Sequence, residues 1–74
     1  MFEKIKSILV SELNIDENLI TPDAEMISSL GLNSLELADL IVMCEDRFGI
    51  VFEEEDLASL ITIGDVAAYI EARV

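Results

Sequence analysis

From Ser34 to Phe48 the chain reads Ser-Leu-Glu-Leu-Ala-Asp-Leu-Ile-Val-Met-Cys-Glu-Asp-Arg-Phe, an apolar run with no glycine or proline inside it. A run of this length and period reads as one long helix. Asn33 stands where an N-cap belongs, and Glu36, three residues on, completes an Asn variant of the capping box. Ser34 is then the first helical residue, and Gly49 falls where a left-handed C-terminal cap is expected. Whatever else the chain does, it must pack its remaining apolar surface around this helix.

The other segments fit that demand. Phe2, Ile5, Ile8, Leu9 and Leu13 recur at helical spacing, with Glu3, Lys4, Lys6, Ser7 and Glu12 on the other side, which predicts a first helix over about 2–14. Periodicity then fades through Asn18, Thr21 and Pro22 to Ser29, a long first loop in which Leu19, Ile20, Met26 and Ile27 are available as apolar pins. Ile50-Val51-Phe52 is short and apolar, but no second strand candidate exists to pair with it, so it reads as a packed connector. Glu53 to Ser59 makes at most two turns of a third helix, acidic at its start, where the helix dipole favours carboxylates. Thr62-Ile63-Gly64-Asp65 resembles a second capping box, and Ile63, Val66, Ala67 and Ile70 give an i, i+3, i+4, i+7 stripe for a fourth helix over about 63–73. The expected fold is all-α: a small four-helix bundle of three longer helices and one short one, over a single domain spanning residues 1–74.

Charge and composition narrow the function. Sixteen Asp and Glu against four Lys and Arg give a formal net charge of −12, which repels nucleic acid and anionic lipid and attracts basic protein surfaces. Such acidity often marks disorder, but 53% hydrophobic residues supply enough apolar surface to fold. No run is long enough for a membrane span, and Met1-Phe2-Glu3-Lys4 opens an amphipathic segment rather than a signal peptide, so a soluble, cytoplasmic monomer is expected. Cys44 is the one cysteine and there is no histidine, which removes internal disulfides, cysteine-based zinc sites and the usual hydrolase bases. Asp16-Glu17-Asn18 opens like a calcium loop but lacks the loop glycine and the bidentate Glu at the twelfth position. No metal site and no enzymatic constellation emerge.

At about 100° per residue, Leu37, Leu40, Ile41, Cys44 and Phe48 share one sector of the central helix and form its core face. Leu35 and Val42 lie almost opposite, with Ala38 at their shoulder and Asp39 and Asp46 beside them. A central helix buried on both sides would also carry apolar residues there, but unpaired carboxylates resist burial, so this second strip is expected to point outward. An apolar centre with an acidic rim is what a protein-docking surface looks like. Ser34, at the start of the same helix, is from local sequence an ordinary helix-start residue, but its expected place is exposed beside backbone N–H groups that favour an anion such as a phosphate. Nucleophilic catalysis by it has no local base to support it.

Leu30-Gly31-Leu32-Asn33-Ser34-Leu35-Glu36-Leu37 resembles the attachment motif of acyl carrier proteins, usually Asp-Leu-Gly-x-Asp-Ser-Leu followed by an acidic residue. The resemblance extends to the length, the acidity, the long first loop, the short acidic third helix and the Thr-Ile-Gly-Asp entrance to the fourth. It implies a carrier rather than an enzyme, with 4′-phosphopantetheine from coenzyme A esterified to Ser34 and acyl groups held on the arm's thiol. It also implies that Leu35, Glu36, Ala38, Asp39, Val42, Glu45 and Asp46 form the partner surface of the second helix. Glu53, Glu54, Glu55 and Asp56 would extend that surface along the third. Implied partners are a phosphopantetheinyl transferase and the acyl-loading and acyl-processing enzymes of fatty acid, polyketide or related biosynthesis, with basic docking patches. Ile5, Leu9, Leu40, Ile41, Phe48, Ile63, Val66 and Ile70 would line an interior able to part around an acyl chain.

Two positions depart from the family pattern. Asn33 replaces the usual Asp before the serine, and Ser29 replaces the Asp or Glu usual before Leu-Gly. Asn caps a helix about as well as Asp, so the fold should accept the change, while one negative charge beside the serine is lost. That suggests a specialised carrier, with a dedicated transferase or slow modification. An aminoacyl or peptidyl carrier and an unmodified acidic helical adaptor remain the alternatives.

Overall fold

The computed structural model describes every residue from Met1 to Val74. Helix α1 spans Phe2–Leu13, a 3-10 turn follows at Glu17–Leu19, α2 spans Ser34–Phe48, α3 is the single turn Glu54–Leu57, and α4 spans Ile63–Glu71. No strand forms. The order and number of helices match the expectation, and the differences lie at helix ends.

Helix α1 buries Ile5, Ile8 and Leu9. It stops at Asn14, whose φ of 55° is left-handed and whose N–H returns to the Leu9 carbonyl. Its entrance has no side-chain cap, but the Met1 ammonium lies 3.4 Å from Glu71 at the end of α4. In α2 both expected caps are present. Asn33 Oδ1 accepts the Glu36 N–H at 2.8 Å, and Glu36 Oε1 accepts the Asn33 N–H at 3.1 Å. At the other end Gly49 has φ 66°, and the N–H groups of Gly49 and Ile50 both donate to the Glu45 carbonyl. Helix α4 opens on a complete capping box between Thr62 and Asp65. It closes two residues earlier than expected, the chain instead turning so that the N–H groups of Arg73 and Val74 donate to Ile70.

The long first loop is fixed by backbone hydrogen bonds that periodicity does not announce. Met26 N–H donates to Ile61 O at 3.0 Å, Ile63 N–H to Ala24 O at 3.1 Å and Gly64 N–H to Pro22 O at 2.7 Å, tying the loop to the entrance of α4. Gly64 is a packing requirement: a Cβ there would lie 2.9 Å from Pro22 O. Farther along, the loop closes on itself around Gly31, at φ 71°, with Leu32 N–H donating to Met26 O. Of the four expected pins, Ile20 and Met26 are buried, whereas Leu19 and Ile27 face outward and Ala24, Leu30 and Leu32 take the inward positions. The turns, rather than a helical wheel, decide which side chains point in.

Sixteen apolar residues form one buried cluster drawn from α1, the loop, α2, the connector and α4. Of the connector, Ile50 and Phe52 are inside and Val51 is outside. Helix α3 contributes no buried residue, and it is shorter than the expected span over 53–59. Its N-cap, Glu53, makes no side-chain capping bond, so nothing local extends it.

Candidate functional site

Helix α2 separates into the two faces its sequence suggests. Leu40 and Cys44 are fully buried, while Leu35 and Val42 are 70% and 61% exposed. Leu37, Ile41 and Phe48, expected in the core, are half-buried and pack on its edge. For Leu37 and Ile41 the position has a reason: together with Ala38 and Val42, which reach its rim from the outer strip, they form one wall of a cleft of about 330 Å³ that Leu57 and Leu60 face from the other side. Met26 is its floor, and Ser34 is its one polar lining residue. Of the residues expected to line an interior, Ile41 borders this cleft and Phe48 packs at the core's edge, while Ile5, Leu9, Leu40, Ile63, Val66 and Ile70 are fully buried.

Ser34 is exposed at the first position of α2. The cap uses the N–H of Glu36, and the ladder of helical bonds begins with Leu37 N–H donating to Asn33 O at 3.0 Å. The N–H groups of Ser34 and Leu35 are left free at the positive end of the helix dipole, and the Ser34 hydroxyl makes no internal hydrogen bond. Those donors and that hydroxyl fit a phosphate ester. None of Lys4, Lys6, Arg47 or Arg73 lines the cleft, so nothing basic stands by to activate the serine.

The two unusual residues before the serine have structural duties. Asn33 is the cap itself, and Ser29 Oγ accepts the Glu25 N–H at 3.0 Å, closing the turn that leads to Leu30-Gly31. An amide and a hydroxyl thus do the hydrogen-bonding work without adding charge near Ser34.

The acidic residues expected to meet partners fall into two groups. Asp39, Asp46, Glu53, Glu54 and Glu55 are exposed. No side-chain ion pair or hydrogen bond engages those carboxylates. By contrast Glu36 holds the Asn33 N–H, Glu45 holds the Phe52 N–H at 2.8 Å, and Asp56 accepts from the Tyr69 hydroxyl at 2.8 Å. These three keep their charge but not their freedom. Ala38 is exposed at the shoulder of Leu35 and Val42, as the wheel places it. The Asp16 carboxylate of the calcium-like stretch caps the 3-10 turn by accepting the Asn18 N–H.

Cys44 is inert, because burial pushes its thiol up to about 11 against a smaller opposing pull from Arg47. Tyr69 was not legible as a site residue. Its hydroxyl also accepts the Glu53 N–H at 3.0 Å, its ring stacks on Phe52 at 5.0 Å, and the Arg73 guanidinium lies 3.4 Å over the ring centre. Partial burial holds that hydroxyl above its ordinary pKa. A lone tyrosine beside an apolar stripe gives no sequence signal of these partners.

An exposed helix-start hydroxyl, an apolar cleft opening beside it and an acidic apron define a carrier-type helical domain. The family model for the phosphopantetheine attachment site matches residues 3–70. The chain is 39% identical over 74 residues to the acyl carrier protein of Thermotoga maritima, covering 100% of this chain and 91% of that one. It is 38% identical over 71 residues to the acyl carrier protein of Helicobacter pylori, covering 96% of this chain and 91% of that one. The chain belongs to the acyl carrier protein family, whose members are carriers rather than enzymes and bear covalent 4′-phosphopantetheine. No helix is long and apolar enough to cross a membrane.

Proposed function

We propose that Ser34 Oγ is the atom esterified by 4′-phosphopantetheine and that residues 1–74 act as one carrier unit for acyl intermediates. When bound, the arm supplies a terminal thiol that holds the cargo as a thioester. Ser34 fixes the arm at the mouth of the cleft, the free N–H groups of Ser34 and Leu35 face its phosphate, and Leu37, Ile41, Leu57 and Leu60 offer the cargo an apolar surface.

The observation that carries the acyl reading is that cleft. Each methylene withdrawn from water is worth about 0.8 kcal/mol, so an alkyl chain gains by entering, whereas the ammonium of an aminoacyl cargo would lose its hydration there. The outer strip of α2, with Leu35, Ala38 and Val42 at its centre and Asp39 and Asp46 at its rim, is suited to docking basic partners. A phosphopantetheinyl transferase and the enzymes of fatty acid, polyketide or related biosynthesis are the partners it fits. The free acids Glu53, Glu54 and Glu55 continue the same field toward α3.

Intact mass after incubation with coenzyme A and a broad-specificity transferase tests the assignment. One phosphopantetheine adduct is expected, absent in Ser34→Ala. An unchanged wild-type mass across a panel of transferases refutes it.

A further inference from the structure

Residues 53–60 form a strap across the cleft, and little of its own chemistry holds it there. It has one helical turn, no side-chain cap at Glu53 and no buried residue. Its C-terminal end is fixed from α4, where Asp65 Oδ2 accepts the Ile61 N–H at 3.0 Å, and from the loop, where Met26 N–H donates to Ile61 O. Before the strap, Phe52 N–H is held by Glu45 of α2. Within it, the polar attachments of the helical turn to the rest of the molecule are to Tyr69 and Arg73.

Tyr69 makes two bonds with one hydroxyl. It accepts the Glu53 N–H at 3.0 Å and donates to Asp56 Oδ2 at 2.8 Å, bridging the first residue of the strap to one a helical turn later. This is the capping group that α3 lacks, supplied from another helix. The ring that carries it is itself immobilised by Phe52 and by Arg73, whose guanidinium also approaches Asp56 at 3.7 Å.

The geometry points to Tyr69 as a latch: its hydroxyl holds the 53–60 strap as a lid over the cleft beside Ser34, so that α4 sets how far the cleft opens. Leu57 and Leu60 are the lid's inner face, and they also bound a second apolar hollow of about 430 Å³ toward Ile27 and Ile61. Moving the strap therefore changes both spaces together. Tyr69 is a positioning residue, acting on anything in the cleft only through α3. The consequence for an acyl cargo rests on the carrier reading above, whereas the latch itself does not.

Tyr69→Phe removes the hydroxyl and keeps the ring, its stack on Phe52 and the platform for Arg73. Amide hydrogen exchange on the unmodified protein should quicken about tenfold at Asp56, Ser59 and Leu60, whose N–H groups donate to carbonyls within the strap, and stay unchanged at Leu37, Gly49 and Val66. No acceleration at the three strap amides overturns the latch, and so does an equal acceleration at all six, which is general loosening. On protein loaded at Ser34, hydroxylamine should cleave a long-chain thioester faster in Tyr69→Phe than in wild type and an acetyl thioester at the same rate. An unchanged long-chain rate overturns the gating of the cleft. Should Ser34 accept no arm at all, the carrier reading fails, and the exchange experiment decides the latch independently.

Discussion

One wall of the cleft is α2, fifteen residues closed by a capping box at Asn33 and a left-handed glycine at Gly49. The facing wall is the strap at 53–60, with four residues of helix and no cap of its own. The first is anchored by Leu40 and Cys44, fully buried in the core, and the second touches the cleft through Leu57, which is 38% exposed, and the half-buried Leu60. Rigidity on one side and borrowed support on the other are what a site needs if it is to hold Ser34 in a fixed place yet admit cargoes of different size. The same contrast divides the acids, with free carboxylates along the outside of both walls and committed ones, Glu36, Glu45 and Asp56, where the walls are tied down.

The largest effect that could break this contrast is in the apolar anchors. Leu40→Ala should cost about 2–5 kcal/mol by denaturant unfolding, because it empties a site with no access to solvent. Leu57→Ala should cost less than about 1 kcal/mol, since much of that side chain is already wet. Comparable losses at the two positions would mean that the strap is part of the core.

Caps sharpen the comparison further. Asn33→Ala removes the acceptor for the Glu36 N–H and should cost about 0.5–2 kcal/mol, whereas Asn33→Asp should leave stability nearly unchanged. Glu53→Ala should be neutral within about 0.5 kcal/mol, because that side chain caps nothing. A cost at Glu53 as large as at Asn33 would show that α3 carries its own stop signal after all.

The last effect is silent at pH 7 and emerges only in alkali. Cys44 keeps its proton in the folded chain up to about pH 11 but loses it near 9.0 once exposed. The unfolded state therefore binds fewer protons between those values, and stability should fall as pH rises from about 9 to about 11. Cys44→Ala should flatten that part of the curve. In the native protein at neutral pH, iodoacetamide should leave Cys44 unlabelled until denaturant is added, and rapid native labelling would show that the α2 wall opens.

Much of α2 was legible in the order of its residues. Asn33, Glu36 and Gly49 act within one turn of where they stand, and the 3.6-residue period alone divides Leu40 and Cys44 from Leu35 and Val42. The family motif around Ser34 is local in the same sense. Leu37 and Ile41 were placed on the correct face but not at the correct depth, because burial at the edge of a face depends on what lies opposite. The strap could not be anticipated so well. Asp56 reads as one more acid in an acidic run, and only its distance to Tyr69 shows that it is held. Met26 appeared as one of several loop pins, and its place on the cleft floor follows from a backbone bond to Ile61 across 35 positions of sequence.

By itself the sequence determined the order of the helices, the caps of α2, the entrance of α4, the outward strip and the serine at the start of α2, since each rests on interactions between residues no more than a few positions apart. The tertiary structure decided the cleft, the function of Gly64 against Pro22 and the latch at Tyr69. Those depend on how the loop and α4 approach α2 and α3, and that approach is set by packing and by hydrogen bonds between segments far apart in the chain.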